Sequence, residues 1–162
     1  MTQGCLHADA IADVSPPLDV CETCIEIGST WVHLRQCLSC GRTLCCNDSP
    51  NRHMTGHWGE TGHPLMRGAG PDDDWIWCFP DDAMVRSTPD GWEQYDPFVE
   101  GGTRMARAHL DAGGSLDLDP GFVMRHGFPL GQWLAYVHEL RETGWLDPRD
   151  EAAIEALPGW RW

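Results

Sequence analysis

Four cysteines and three histidines fall within the 27 residues from Cys37 to His63, CLSCGRTLCCNDSPNRHMTGHWGETGH. Cys37 and Cys40 form a CxxC pair, Cys45 and Cys46 follow after a short turn, and His53, His57 and His63 complete the run. Thiolate sulfur and imidazole nitrogen are the donors of tetrahedral zinc sites, and a CxxC beside a spaced His pair supplies both. The run holds more donors than one ion takes. A further site must therefore draw on other parts of the chain, which offers Cys5, His7, a second CxxC at Cys21 and Cys24, and Cys78. Disulfides would need an oxidising compartment. The stretch MTQGCLHADAIADV has neither the basic region nor the apolar core of a signal peptide, so export is not expected and a cytoplasmic location is. Metal is the expected use of the cysteines.

These donors need elements to hold them. His53 and His57, four apart, share one face of a helix. Ser49-Pro50 reads as its start, with Ser as N-cap and Pro at the first helical position, and the helix is expected to run to about Trp58. Trp31–Arg35 reads as a strand entering Cys37, and Gly41 suits the tight turn after Cys40. A strand is expected over 61–66, a charged turn at Asp72–Asp74, and a last strand over Trp75–Phe79, where apolar residues alternate. Ser, Thr, Pro and Gly cluster in 82–91, which reads as a linker. Beyond it there is no cysteine. Phe98–Ala112 can form a helix weakened by Gly101-Gly102. Leu130–Arg141 is a stronger one, with Leu130, Trp133, Leu134, Val137 and Leu140 on one face and Gly144 as its stop. Asp147-Pro148 opens a last helix ending before Pro158, and Trp145, Trp160 and Trp162 are expected to fill the core. The fold class read from this pattern is α+β: a zinc-stapled sheet with one main helix over 1–85, then an all-α three-helix module over 90–162. Neither half has room for a large apolar core, and the first must be held by metal.

Composition narrows the function classes. The net charge is −14, divided evenly between the halves, and all 11 basic residues are Arg. Such acidity argues against non-specific binding to phosphate backbones. Lys-free usage rich in Gly, Asp, Arg and Trp suggests a bacterial source. No apolar run approaches the roughly 18 residues of a membrane span, so no membrane partner is expected.

The order of donors resembles the UBP-type zinc finger, the ubiquitin-binding module of ubiquitin-specific proteases and of a histone deacetylase. The residues that carry the resemblance are Cys5-x-His7, Cys21-x-x-Cys24, Trp31-Val, Cys37-Leu-x-Cys40-Gly41, Leu44-Cys45, His53-x-x-x-His57, Thr61-Gly-His63-Pro-Leu65 and Trp77-Cys78. It implies three structural zinc sites. One would use Cys21, Cys24, Cys45 and His53, a second Cys37, Cys40, His57 and His63, and a third Cys5, His7, Cys78 and Asp81. The family usually has Cys where Asp81 stands, but a carboxylate is an acceptable zinc ligand. Spacing from Cys40 favours Cys45 and spacing from His53 favours Cys46. The family's Leu-Cys junction selects Cys45, with Cys46 as the alternative. His33 is taken as a strand residue.

The resemblance also implies a pocket for the free C-terminal tail of a protein partner, walled here by Trp77 and Phe79. Asn47 stands where the family has an Arg, and Asn cannot give that bidentate, charged grip; Arg42 and Arg52 are candidate substitutes. Residues 127–162 resemble the helicase-associated domain through Gly127-Phe-Pro-Leu-Gly-Gln-Trp133, Arg141, Gly144-Trp-Leu-Asp-Pro-Arg149 and Leu157-Pro-Gly-Trp-Arg-Trp162, with Trp92 as the opening Trp. That resemblance implies possible nucleic-acid contact, although no GxxxxGK[ST] motor motif is present. The leading reading is a zinc-binding, non-enzymatic adaptor with a protein or peptide partner. A nucleic-acid accessory protein and a thiol or metal sensor using Cys46 or the Asp81 site are the alternatives.

Overall fold

The computed structural model describes residues 4–162 and is α+β. It divides into two units, one ending at Tyr95 and the other spanning Asp96–Trp162. In the first unit, six strands form one antiparallel sheet in the order β2-β1-β3-β4-β5-β6. They are β1 (Leu34–Cys37), β2 (Thr43–Cys45), β3 (Leu65–Gly68), β4 (Ile76–Cys78), β5 (Ala83–Thr88) and β6 (Gly91–Tyr95). Two helices accompany the sheet, α1 (Glu22–Ile27) and α2 (His53–Thr61). α1 begins at Cys21, whose sulfur accepts from the Cys24 amide, and stops at Gly28, whose φ of 66° costs Gly little.

Alternation gives the sheet two faces. Ile76 and Val85, paired across β4 and β5, face a cluster with Cys5, Leu38, Leu65 and Cys78. The next row along the strands, Cys37, Met66, Trp77 and Met84, points to the other face. Cys37 and Met66 belong to a cluster with Cys21, Cys24, Leu44, Cys45 and Met54.

Several expectations are corrected. Residues 82–91 are no linker. They contain β5 and the turn of a hairpin, with Thr88 paired to Gly91 across Pro89-Asp90. The Pro-Asp-Gly run is turn chemistry between two strands, so the sheet continues past the expected boundary at 85. Trp92 lies on β6 and packs on the Cys5–Val85 cluster of the first unit, so it does not open the helical half. Ser49 does not cap α2. It is buried, and its hydroxyl accepts from the Val32 amide. α2 begins after Arg52, which holds a left-handed φ of 49°.

The second unit contains α3 (Pro97–Asp111), α4 (Leu130–Thr143) and α5 (Pro148–Glu155). Asp96 caps α3 through the amides of Phe98 and Val99, and Asp147 caps α5 through Arg149. The core gathers Val99, Ala106, Leu130, Trp133, Val137, Leu146, Ile154 and Leu157. Trp160 and Trp162 pack against it, whereas Trp145 is 81% exposed. Gly144 adopts φ 76° to end α4, and Leu146, not Trp145, is the residue that the reversed chain turns inward.

Candidate metal centres

Among the described residues, the donors converge in groups within 4.8 Å of one another. In the first, the His53 Nδ1 lies 3.4 Å from Cys21 Sγ, 3.3 Å from Cys24 Sγ and 3.5 Å from Cys45 Sγ, and the Cys24 and Cys45 sulfurs are 3.8 Å apart. A tetrahedron with a Zn–S length of about 2.3 Å and a Zn–N length of about 2.0 Å has edges of about 3.8 Å between sulfurs and about 3.5 Å between sulfur and nitrogen. These four separations match the edges of a zinc-sized tetrahedron. α1 brings Cys24 with Cys21 at its cap, the end of β2 brings Cys45, and the first residue of α2 brings His53. Amides of Cys24 and His53 and the side chain of Asn51 donate to these sulfurs, which offsets thiolate charge.

The second group is Cys37, Cys40, His57 and His63. Cys37 Sγ is 3.5 Å from His63 Nδ1, Cys40 Sγ is 3.4 Å from His57 Nε2, and the two ring nitrogens are 3.2 Å apart. His53 and His57 thus serve different groups from one helix, a turn apart. Burial, with the charges of His63 and Arg42, lowers the pKa of His57, which favours the neutral imidazole that a metal requires.

The third group joins Cys5 and His7 near the start of the chain to Cys78 and Asp81. Asp81 Oδ2 is 3.2 Å from both His7 Nδ1 and Cys78 Sγ, and Cys78 Sγ is 3.4 Å from His7 Nδ1. Burial opposes ionisation of Asp81, but hydrogen bonds from Cys78, Cys5 and His7 hold its carboxyl below the usual range. Burial pushes the Cys78 thiol up to about 12 and the Cys24 thiol up to about 11. These thiols shed protons when they ligate, so metal affinity rises with pH and falls as pH drops. The Asp81 group combines a raised thiol with a carboxylate in place of a third sulfur. It is expected to release zinc first on acidification, and Asp81→Cys should move that loss to lower pH. Zinc counts from native mass spectrometry along a pH series check this; an unchanged release order in D81C would count against it.

Strand alternation separates Cys45 from Cys46. Cys45 points to the first group, and Cys46 points away toward His33 and Asp48 in a fourth, three-donor group. Burial works to raise the Cys46 thiol, but hydrogen bonds from Ser49 and from the backbones of His33 and Asp48 bring it down to about 7. Sequence reasoning passed over this group, although a Cys-x-Asp run opposite a strand His was there to be read.

The pocket candidates fare differently. Trp77 lies half-buried on β4 between Met66 and Met84. The Phe79 ring stacks on Trp58 of α2, with centroids 4.7 Å apart and planes 8° from parallel. The Asn47 side-chain oxygen accepts from the Thr55 hydroxyl of α2. Arg52 is exposed. Trp58 and Thr55, which engage Phe79 and Asn47, were not singled out from the sequence.

The family model described as a Zn-finger in ubiquitin-hydrolases and other proteins matches residues 21–90. The solution NMR structure of protein RPA1320 from Rhodopseudomonas palustris is 49% identical to the chain, with a TM-score of 0.46, and the match covers 52% of this chain and 82% of that one. A comparison with curated proteins finds no match. No helix in the described residues is long and apolar enough to cross a membrane.

Proposed function

From the match of residues 21–90 to the Zn-finger of ubiquitin-hydrolases and other proteins, we propose that the chain is a non-enzymatic adaptor whose zinc-stapled half binds a protein tail. The observation that carries this reading is the closure of the donor groups. Each of three groups offers four protein donors, so three zinc ions bound there would have no position left for a substrate or an activated water. Such sites hold a surface in shape, and the work falls to that surface.

The proposed surface is the aromatic one around Trp77 and Phe79, with Asn47 and Arg52 at its polar side. Its occupant is the C-terminal tail of a protein, ubiquitin being the family's example. Asn47 is the weak point, since a neutral amide replaces a bidentate cation. Asn47→Arg should tighten binding of a peptide ending in Gly-Gly with a free carboxylate by about tenfold or more, the effect of one charge-assisted hydrogen bond. Titrating that peptide and its amidated form into wild type and N47R, read by NMR shifts at Trp77 and Phe79, is the test. Equal indifference of both proteins to both peptides would sink tail binding.

The helical half is proposed as a second contact surface, in line with its resemblance to the helicase-associated domain. Nucleic-acid binding has less behind it. The Arg141 guanidinium pairs with Glu151 at 2.7 Å and lies over the Trp162 ring, and Arg149 pairs with Asp147.

A further inference from the structure

Cys46 has no place in the three closed groups, yet its surroundings are those of a ligand. Leu34 and Cys45 are partners in the β1–β2 ladder. One residue further along, the Cys46 amide donates to the His33 carbonyl at 3.0 Å, so the ladder continues and the two side chains share a face. The chain then turns and brings Asp48 back toward them. One donor atom each from His33, Cys46 and Asp48 lies within 4.8 Å of the others. The loop is held in this course by Ser49, whose amide donates to the Cys46 carbonyl at 3.1 Å and whose hydroxyl accepts from the Val32 amide. Cys46 is buried, while His33 and Asp48 are exposed. A buried sulfur thus lies beneath an exposed imidazole and an exposed carboxylate.

We infer that His33, Cys46 and Asp48 form a fourth, exchangeable site for a thiophilic divalent cation such as zinc. The donor classes are those of the Cys5–Asp81 group, and a thiolate with a carboxylate carries the two negative charges that a divalent ion neutralises. A buried thiol that needed only a hydrogen bond has the Ser49 hydroxyl 3.4 Å away; convergence of an imidazole and a carboxylate on the same point goes beyond that need. The site differs from the other three in supplying three protein donors, which leaves one tetrahedral position open to water or an incoming ligand. An exposed rim and an open position make its ion the fastest to exchange, so its occupancy follows the free zinc concentration while the closed groups stay filled.

The test compares zinc stoichiometry by native mass spectrometry in wild type, His33→Asn, Asp48→Asn and Cys46→Ser, each equilibrated with excess zinc and then exposed to a weak chromophoric chelator. Wild type should carry one more zinc than each variant. It should release that equivalent in a fast phase that all three variants lack, with all slower phases unchanged. H33N and D48N change exposed side chains, so they report even if C46S fails to fold. Equal zinc counts in wild type, H33N and D48N, with the same release phases, would overturn the inference. The comparison is between variants and therefore stands apart from the tail-binding result.

Discussion

A zinc chelator is expected to unfold the first unit and leave the second folded. The reason lies in what the first unit buries. Of the six buried residues in its metal-side cluster, four are cysteines and only Leu44 and Met54 are ordinary apolar residues. With Leu38, Leu65 and Val85 of the other cluster, five such side chains give about 8–15 kcal/mol, and ordering each backbone residue costs about 1–2 kcal/mol. That deficit has to be met by ligation, which contributes on the order of 10–16 kcal/mol per structural zinc at neutral pH. The second unit has no cysteine and packs Trp133, Leu130, Val137 and Ile154 at full burial. Hydrogen exchange in chelator should therefore show protection lost across β1–β4 and α2 and retained in α4, with zinc restoring the first set. His57→Ala should give a milder version, since it takes one donor from one group. Protection of β1–β4 surviving complete zinc removal would show that the sheet is held by packing alone.

The donors were legible in the sequence because zinc imposes spacing that chemistry fixes, such as CxxC and a pair of His one helical turn apart. What failed to read through was local structure decided by tertiary contacts. Ser49-Pro50 has the signature of a helix start, but the Ser49 hydroxyl is engaged by the Val32 amide of a distant segment. Thr88-Pro89-Asp90-Gly91 has the composition of a linker and forms a hairpin because β4 offers β5 a partner. Cys45 and Cys46 could not be separated by counting along the chain. The β1–β2 register separates them, since neighbours on a strand face opposite ways. The same alternation places Cys46 beside His33, a juxtaposition that no motif spells out.

Gly101 and Gly102, adjacent in α3, should respond to alanine with opposite signs. As a sequence they read together as a weak helix start. In the structure, a Cβ on Gly101 would meet only Arg104 Nη2 at 3.9 Å. Gly101→Ala should then gain the helix propensity of Ala, about 1 kcal/mol. A Cβ on Gly102 would lie 1.9 Å from Cδ1 of Trp133. That indole is fully buried and donates to the Val99 carbonyl at 3.2 Å, so it is pinned against α3 at both ring and nitrogen. Gly102 is thus the notch in which the largest core side chain of the helical unit sits. Gly102→Ala must part α3 from α4 or expel the indole, whose loss alone is worth about 3–5 kcal/mol. Set against the propensity gain, a net loss of about 2–4 kcal/mol is expected, a fall in Tm on the order of 10–20 °C for a unit of this size. Trp133→Leu should be less damaging in the Gly102→Ala background than alone, because the smaller side chain relieves the clash. Thermal unfolding of G101A, G102A, W133L and the G102A/W133L pair would measure this coupling. Strict additivity of the pair would show that Gly102 and Trp133 do not share the notch.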